Sequence, residues 1–164
     1  YRDLMAVADA LETRADVDPR RIAALGGSFG GYMTNWIGGN TSRFKALATH
    51  ACVFSMSAFT GVTDHPPYWL MEMGGAPYED VQAFDRYSPA RFVQNWRSPT
   101  LIFHGERDYR VPVNHALEYW SVLQRLQIPS RLVVFPDENH WILKAENSRF
   151  FYEEVRAWLG ANLQ

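Results

Sequence analysis

Three side chains in this sequence could between them move a proton and form an acyl bond: Ser28 in GGSFGG, Asp108 in HGERDYRVP and His140 in FPDENHW. A serine hydroxyl is a weak nucleophile until an imidazole takes its proton, and the imidazole serves only when an acid fixes its tautomer. Ser28 stands in Gly26-Gly27-Ser28-Phe29-Gly30, a G-x-S-x-G run between an apolar stretch and a helix-like pattern. Two readings fit. One is a plain glycine-rich turn; the other is a backbone bent so sharply that the hydroxyl is presented to a substrate. In the second, glycines relieve the crowding because they have no β-carbon. The helix that follows then aims its first N–H groups and its positive dipole end at the place where an oxyanion would form.

Other candidates for acid and base are weaker. Glu106 follows the same apolar run as Asp108 but lies nearer to it, whereas Asp108 has the reach of a loop residue. Asp137 and Glu138 neighbour His140 and are expected to shape its turn or face solvent. His104 ends an apolar run and reads as a structural residue, and His50, His65 and His115 have no motif around them. His104-Gly105-Glu106 matches the H-x-E of zinc deaminases, but the cysteine pair those sites need is absent. With no H-E-x-x-H and no phosphate-binding loop, neither a metal nor an organic cofactor is expected.

The elements that must carry these residues alternate in type. YRDLMAVADALETR puts Leu4, Val7, Ala8 and Leu11 on one helical face, DVDPRR is a turn, and IAAL (22–25) is a short buried strand followed by a helix over about 30–38. FKALATHACVF holds the next strand. Residues 55–98 read as an irregular insert rich in aromatics and prolines. Order returns with TLIFH (100–104) as a strand and Val113–Leu126 as a helix with Val113, Leu117, Trp120 and Leu123 inward. RLVVF (131–135) is the last strand, and Phe151, Val155, Trp158 and Leu163 mark a final helix. Strands alternating with helices give an α/β domain with a parallel sheet. Asp108 and His140 then fall just past the C-terminal ends of successive strands, where open α/β sheets bind ligands. The order Ser, Asp, His is also the one such a hydrolase requires.

Composition narrows the class further. With 164 residues, 47% of them hydrophobic, the chain has enough apolar material for one globular core. Sixteen Lys and Arg against 18 Asp and Glu give a net charge of -2 with no basic block, which argues against a nucleic-acid partner. The single cysteine, Cys52, excludes an internal disulfide. No apolar run reaches the roughly 18 residues of a membrane span, and the N-terminus has no signal-peptide pattern, so no membrane partner and a cytoplasmic location are expected, with secretion left open. The chain begins without methionine in what reads as the middle of a helix, the expectation being an excised or processed piece.

GGSFGGYMTNW, HGERDYRVP and FPDENHW resemble the catalytic-domain blocks of the prolyl oligopeptidase family of serine peptidases, in particular its acylaminoacyl peptidase and dipeptidyl-peptidase-like bacterial members. The resemblance runs over essentially all 164 residues and implies the C-terminal part of an α/β-hydrolase fold. It makes Ser28 the nucleophile, Asp108 the orienting acid and His140 the base. Phe29 would give its backbone N–H to the oxyanion, Arg110 would hold a substrate carbonyl, and Val111 would line the pocket for the residue before the scissile bond. It also implies parts that lie outside this sequence: a β-propeller, the first strands of the sheet and the loop with a second oxyanion donor. The implied substrate is a short peptide or acyl-peptide. Because the IAAL strand would lack its earlier neighbours, its open edge is expected to associate with the N-terminal portion or with a second copy of the chain. In the aromatic stretch from Phe54 to Tyr78, Phe54, Phe59, Tyr68 and Trp69 supply large rigid apolar surface that would close the acyl pocket or form an ordinary lid packed on the core. A carboxylesterase on small acyl esters and a noncatalytic hydrolase-fold interaction module are the alternatives.

Overall fold

TLIFHG carries the run Leu101-Ile102-Phe103 at its centre, and the fold covers the segment on both faces. The computed structural model describes residues 1–164. Four parallel strands, β1 (Ala23–Gly27), β2 (Ala46–His50), β3 (Thr100–Gly105) and β4 (Ser130–Phe135), lie side by side in chain order. All six residues of β3 are buried, as are four of the five in β2, whereas β1 and β4 at the edges are only partly so. Central strands of a parallel sheet read as continuous apolar runs for this reason.

Side chains alternate between the two faces of the sheet. On one face Leu47 and Ile102 meet Ile37 of α2 (Phe29–Asn40), Ala116, Tyr119 and Leu123 of α6 (Asn114–Arg125), and Trp96. Ala8 of α1 (Arg2–Glu12) joins the same cluster. On the other face Ala48, Leu101, Phe103 and Phe135 pack under α7 (Ala145–Asn162) through Val155, with Phe151, Trp158 and Leu159 beside it. Leu163, expected in that stripe, falls just past the helix end.

Three expectations about the elements need correction. The stretch 55–98 is a chain of short helices: α3 (Met56–Val62), α4 (Pro66–Met73), α5 (Val81–Asp85) and a 3-10 helix, Pro89–Asn95. Its turn residues sit at helix ends rather than between them. Ser55 and Asp80 accept N–H bonds from Ala58 and Ala83 as N-caps, Pro66 opens α4 where a missing N–H costs nothing, and Gly74 closes it at φ 76°. In α6, Leu117 and Trp120 are 48% and 36% exposed, and the buried face is His115, Ala116, Tyr119 and Leu123. The rings of Tyr119 and His115 do the packing there: Tyr119 stacks on Phe54 at 5.0 Å and His115 meets Phe59 edge-on at 5.9 Å. A reading that ranks Leu and Trp above Tyr and His turns that helix the wrong way. In α1 only Ala8 of the expected stripe is buried; Leu4, Val7 and Leu11 are exposed.

Candidate active site

Ser28 sits between the last residue of β1 and the first of α2, with φ 56° and ψ -118°. A non-glycine residue pays a steric cost for such a conformation, so it persists only where its surroundings enforce it. Here they do so through the main chain: the Ser28 N–H donates to the His50 carbonyl at 2.9 Å, and the Ser28 carbonyl accepts from the Tyr32 N–H at 2.9 Å. Gly26 is obligatory, because a Cβ there would stand 2.2 Å from the Gly30 carbonyl oxygen. Gly30, by contrast, has open space where its own Cβ would be, so of the two motif glycines only the first is required by its missing side chain. The N–H groups of Phe29, Gly30 and Gly31 precede the first bond of α2 and have no partner inside the helix, which leaves them directed at the region beside Ser28.

Asp108 and His140 come from the loops after β3 and β4. His140 Nε2 lies 2.8 Å from Ser28 Oγ, and His140 Nδ1 lies 2.8 Å from Asp108 Oδ2. Asp108 is 2% exposed, and its other oxygen, Oδ1, accepts from the N–H groups of Arg110 at 2.9 Å and Val111 at 2.8 Å. Burial alone would raise its pKa; the donors on His104 and His140 and the Val111 N–H outweigh burial and hold the carboxyl well below the ordinary range. His104, wholly buried, lies 2.7 Å by Nε2 from the Val111 carbonyl and 3.4 Å from Asp108 Oδ2. It is thus structural, as expected, but braces the acid itself.

The rival acids lie elsewhere. Glu106 is exposed, and its side chain has no hydrogen-bond partner in the chain. Glu138 is buried and accepts from the Leu143 N–H at 3.2 Å, the Lys144 N–H at 2.9 Å and Asn147 Nδ2 at 2.8 Å. Asp137 pairs with Lys144 and accepts from Asn147. Both shape the loop that carries His140.

The hydrogen-bonded chain opens into a cavity of about 920 Å³ that Ser28, Phe29, His140, Arg110 and Val111 all line. The lid helices contribute Phe59, Tyr68, Trp69 and Met73 to its wall. Phe54 does not reach it: that ring is buried in the core against Tyr119. Arg110 Nε donates to Asp64 Oδ1 at 2.6 Å, a partner that sequence reasoning passed over because one aspartate in a proline-rich stretch carries no spacing signal. No group of three or more His, Cys, Asp or Glu side chains is arranged to hold a metal ion.

A serine at a strained strand-to-helix turn, hydrogen-bonded through a histidine to an aspartate at the C-terminal edge of a parallel sheet, belongs to the α/β-hydrolase class. Solved structures agree on the fold. A puromycin-hydrolyzing peptidase of Mycobacterium tuberculosis superposes with a TM-score of 0.91 at 27% identity, covering 98% of this chain and 25% of that one. An acylaminoacyl peptidase of Pyrococcus horikoshii superposes at 0.89 with 23% identity, covering 98% of this chain and 27% of that one. Among curated proteins, dipeptidyl-peptidase 5 of Schizosaccharomyces pombe is 36% identical over 162 residues, 97% of this chain but 24% of the relative's length. Residues 1–164 match the model of the prolyl oligopeptidase family, and the chain belongs to that family.

Proposed function

We propose that this chain carries the catalytic residues of a serine peptidase that cleaves peptide or N-acyl-peptide bonds through an acyl-enzyme. Ser28 Oγ attacks the scissile carbonyl carbon as His140 Nε2 takes its proton, and Asp108 stabilises the imidazolium through Nδ1–H. The Phe29 N–H donates to the oxyanion. Collapse of the tetrahedral intermediate breaks the C–N bond, and the amine leaves with the proton from His140. Water then enters, His140 deprotonates it, and the acyl group departs as a carboxylic acid, restoring Ser28. Arg110 holds a substrate carbonyl at the rim, while Val111 and Trp69 bound the space for the residue before the scissile bond. A second oxyanion donor and the size selection of substrates fall to residues outside these 164, which span about a quarter of the curated relatives' length.

One observation carries this reading: both contacts of the relay, Ser28 to His140 and His140 to Asp108, are 2.8 Å long. The test is labelling with an active-site-directed fluorophosphonate, followed by turnover of acyl-peptides against short acyl esters. Modification of Ser28 and preference for the peptide are expected. No labelling would point to a noncatalytic module, and turnover of esters alone to a carboxylesterase.

A further inference from the structure

The cavity rim carries an ion pair that the proton relay does not use. Asp64, in the loop between α3 and α4, holds Arg110 by a single contact, with Oδ1 accepting from Nε at 2.6 Å. Two more bonds tie the same loop to the one after β3: the Asp64 N–H donates to the Tyr109 carbonyl at 2.8 Å, and Thr63 Oγ1 donates to the Arg110 carbonyl at 2.8 Å. The pair is therefore anchored through the backbone at both ends, although its side chains are 50% and 43% exposed.

A guanidinium presents its N–H donors in a rigid fork, so engagement through Nε leaves the Nη groups available to a second acceptor. Both partners line the cavity that holds Ser28 and His140. The other charged wall residues are Glu72 and Arg107, one of each sign. With Asp64 in place, Arg110 offers hydrogen bonds without a net positive charge. A neutral carbonyl oxygen is suited to that offer, whereas a carboxylate arriving at the Nη groups meets the charge of Asp64 at short range.

We infer that Asp64 is a specificity-determining residue: by neutralising Arg110 it makes the rim accept peptides that are uncharged next to Arg110 and disfavour those with a carboxylate there. This rests on the peptidase reading and on Arg110 touching the substrate. Discrimination of this kind works by an unfavourable contact with the wrong partner rather than an added favourable one with the right partner.

The test uses the full-length enzyme and two N-blocked peptides that differ only in Gln or Glu two residues before the scissile bond. Asp64→Asn keeps the side-chain size and both other bonds of the loop, from the residue-64 N–H and the Thr63 hydroxyl; it should raise the Glu-to-Gln ratio of kcat/KM by about tenfold, mainly through KM. Asp64→Ser should move the ratio the same way, and Arg110→Ala added to Asp64→Asn should abolish the gain. A ratio within about twofold of the wild type in both single variants, or equal losses on both peptides, would overturn the inference. Arg110→Ala alone separates the two layers of argument. If it lowers peptide turnover no more than turnover of a small aryl ester, the substrate contact of Arg110 is wrong and the role of Asp64 falls with it. If it does lower the peptide selectively while the Asp64 ratios stay flat, only the role of Asp64 is overturned.

Discussion

The two flanks of the sheet differ in how far this chain completes them. On the β3–β4 flank Asp108 and His140 are braced from within: Asp108 by two backbone N–H groups and His104, and the His140 loop by the buried Glu138. On the other flank, β1 leads into Ser28; like β4 it is an edge of the sheet, and its Leu25 is 48% exposed. The apolar Leu4, Val7 and Leu11 of α1 are exposed as well. Asp108 and His140 are thus held by side chains and backbone of this chain, whereas the strand that delivers Ser28 is an edge, open like β4 on one side, whose apolar Leu25 is left exposed.

The largest expected effect lies on the braced flank. In Asp108→Asn the amide oxygen can keep both backbone N–H bonds, which turns the NH2 group toward His140 Nδ1 and forces the proton onto Nε2. That tautomer cannot accept a proton from Ser28, so turnover should fall by about four orders of magnitude with the thermal midpoint nearly unchanged. Glu106→Gln should change the rate by less than about threefold, as expected for an exposed residue. Equal losses in steady-state assays would break the distinction between the two acids.

Stability should divide along the same line. Phe103, 1% exposed between Phe135 and Phe151, should cost about 3–5 kcal/mol when replaced by alanine. Leu25→Ala should cost about 1 kcal/mol or less in the 164-residue chain and about 2–5 kcal/mol if residues beyond it cover β1 in the full-length protein. Urea midpoints of both variants in both contexts measure the contrast. A similar small cost of Leu25→Ala in the two contexts would mean that nothing covers that edge.

Acid should weaken the fold through the buried His115. Burial, followed by the neighbouring His104, lowers the pKa of His115 from 6.5 to about 4. Because the folded value is the lower one, its stabilising contribution is present above pH 6.5 and is lost as the pH falls toward 4. The loss is on the order of 2–3 kcal/mol. His50, lowered to about 4 chiefly by burial, contributes in the same sense. His115→Asn, whose Oδ1 can stand where Nδ1 accepts from the Phe54 N–H, should flatten the dependence of the unfolding free energy on pH across this window. An unchanged slope would place the acid sensitivity elsewhere.

Much of this was legible in the sequence for a physical reason. Ser28, Asp108 and His140 each lie just past an apolar run, and the chemistry tolerates few residue types at those points. The central strands were equally plain, since FKALATHACVF and TLIFH carry short apolar runs of the kind that central parallel strands bury. The lid was not legible. Pro66, Gly74 and Ser55 break helices in the interior but cap them at the ends, and which of the two they do depends on where the neighbouring segment docks. Phe54 and Tyr119 were opaque because an aromatic that stacks in the core has the same composition signal as one that lines a cavity. Asp64 matters only through a partner 46 positions away.

The contacts that hold Ser28, Asp108 and the His140 loop are made largely to main-chain groups: the His50 carbonyl and the N–H groups of Arg110, Val111, Leu143 and Lys144. Every residue supplies a carbonyl, and every residue but proline supplies an N–H. Drift at those five positions can therefore rewrite the surrounding side chains without loosening the frame. Such a frame is suited to long divergence, and the chain still superposes on the Pyrococcus horikoshii acylaminoacyl peptidase with a TM-score of 0.89 when only 23% of the aligned residues are the same.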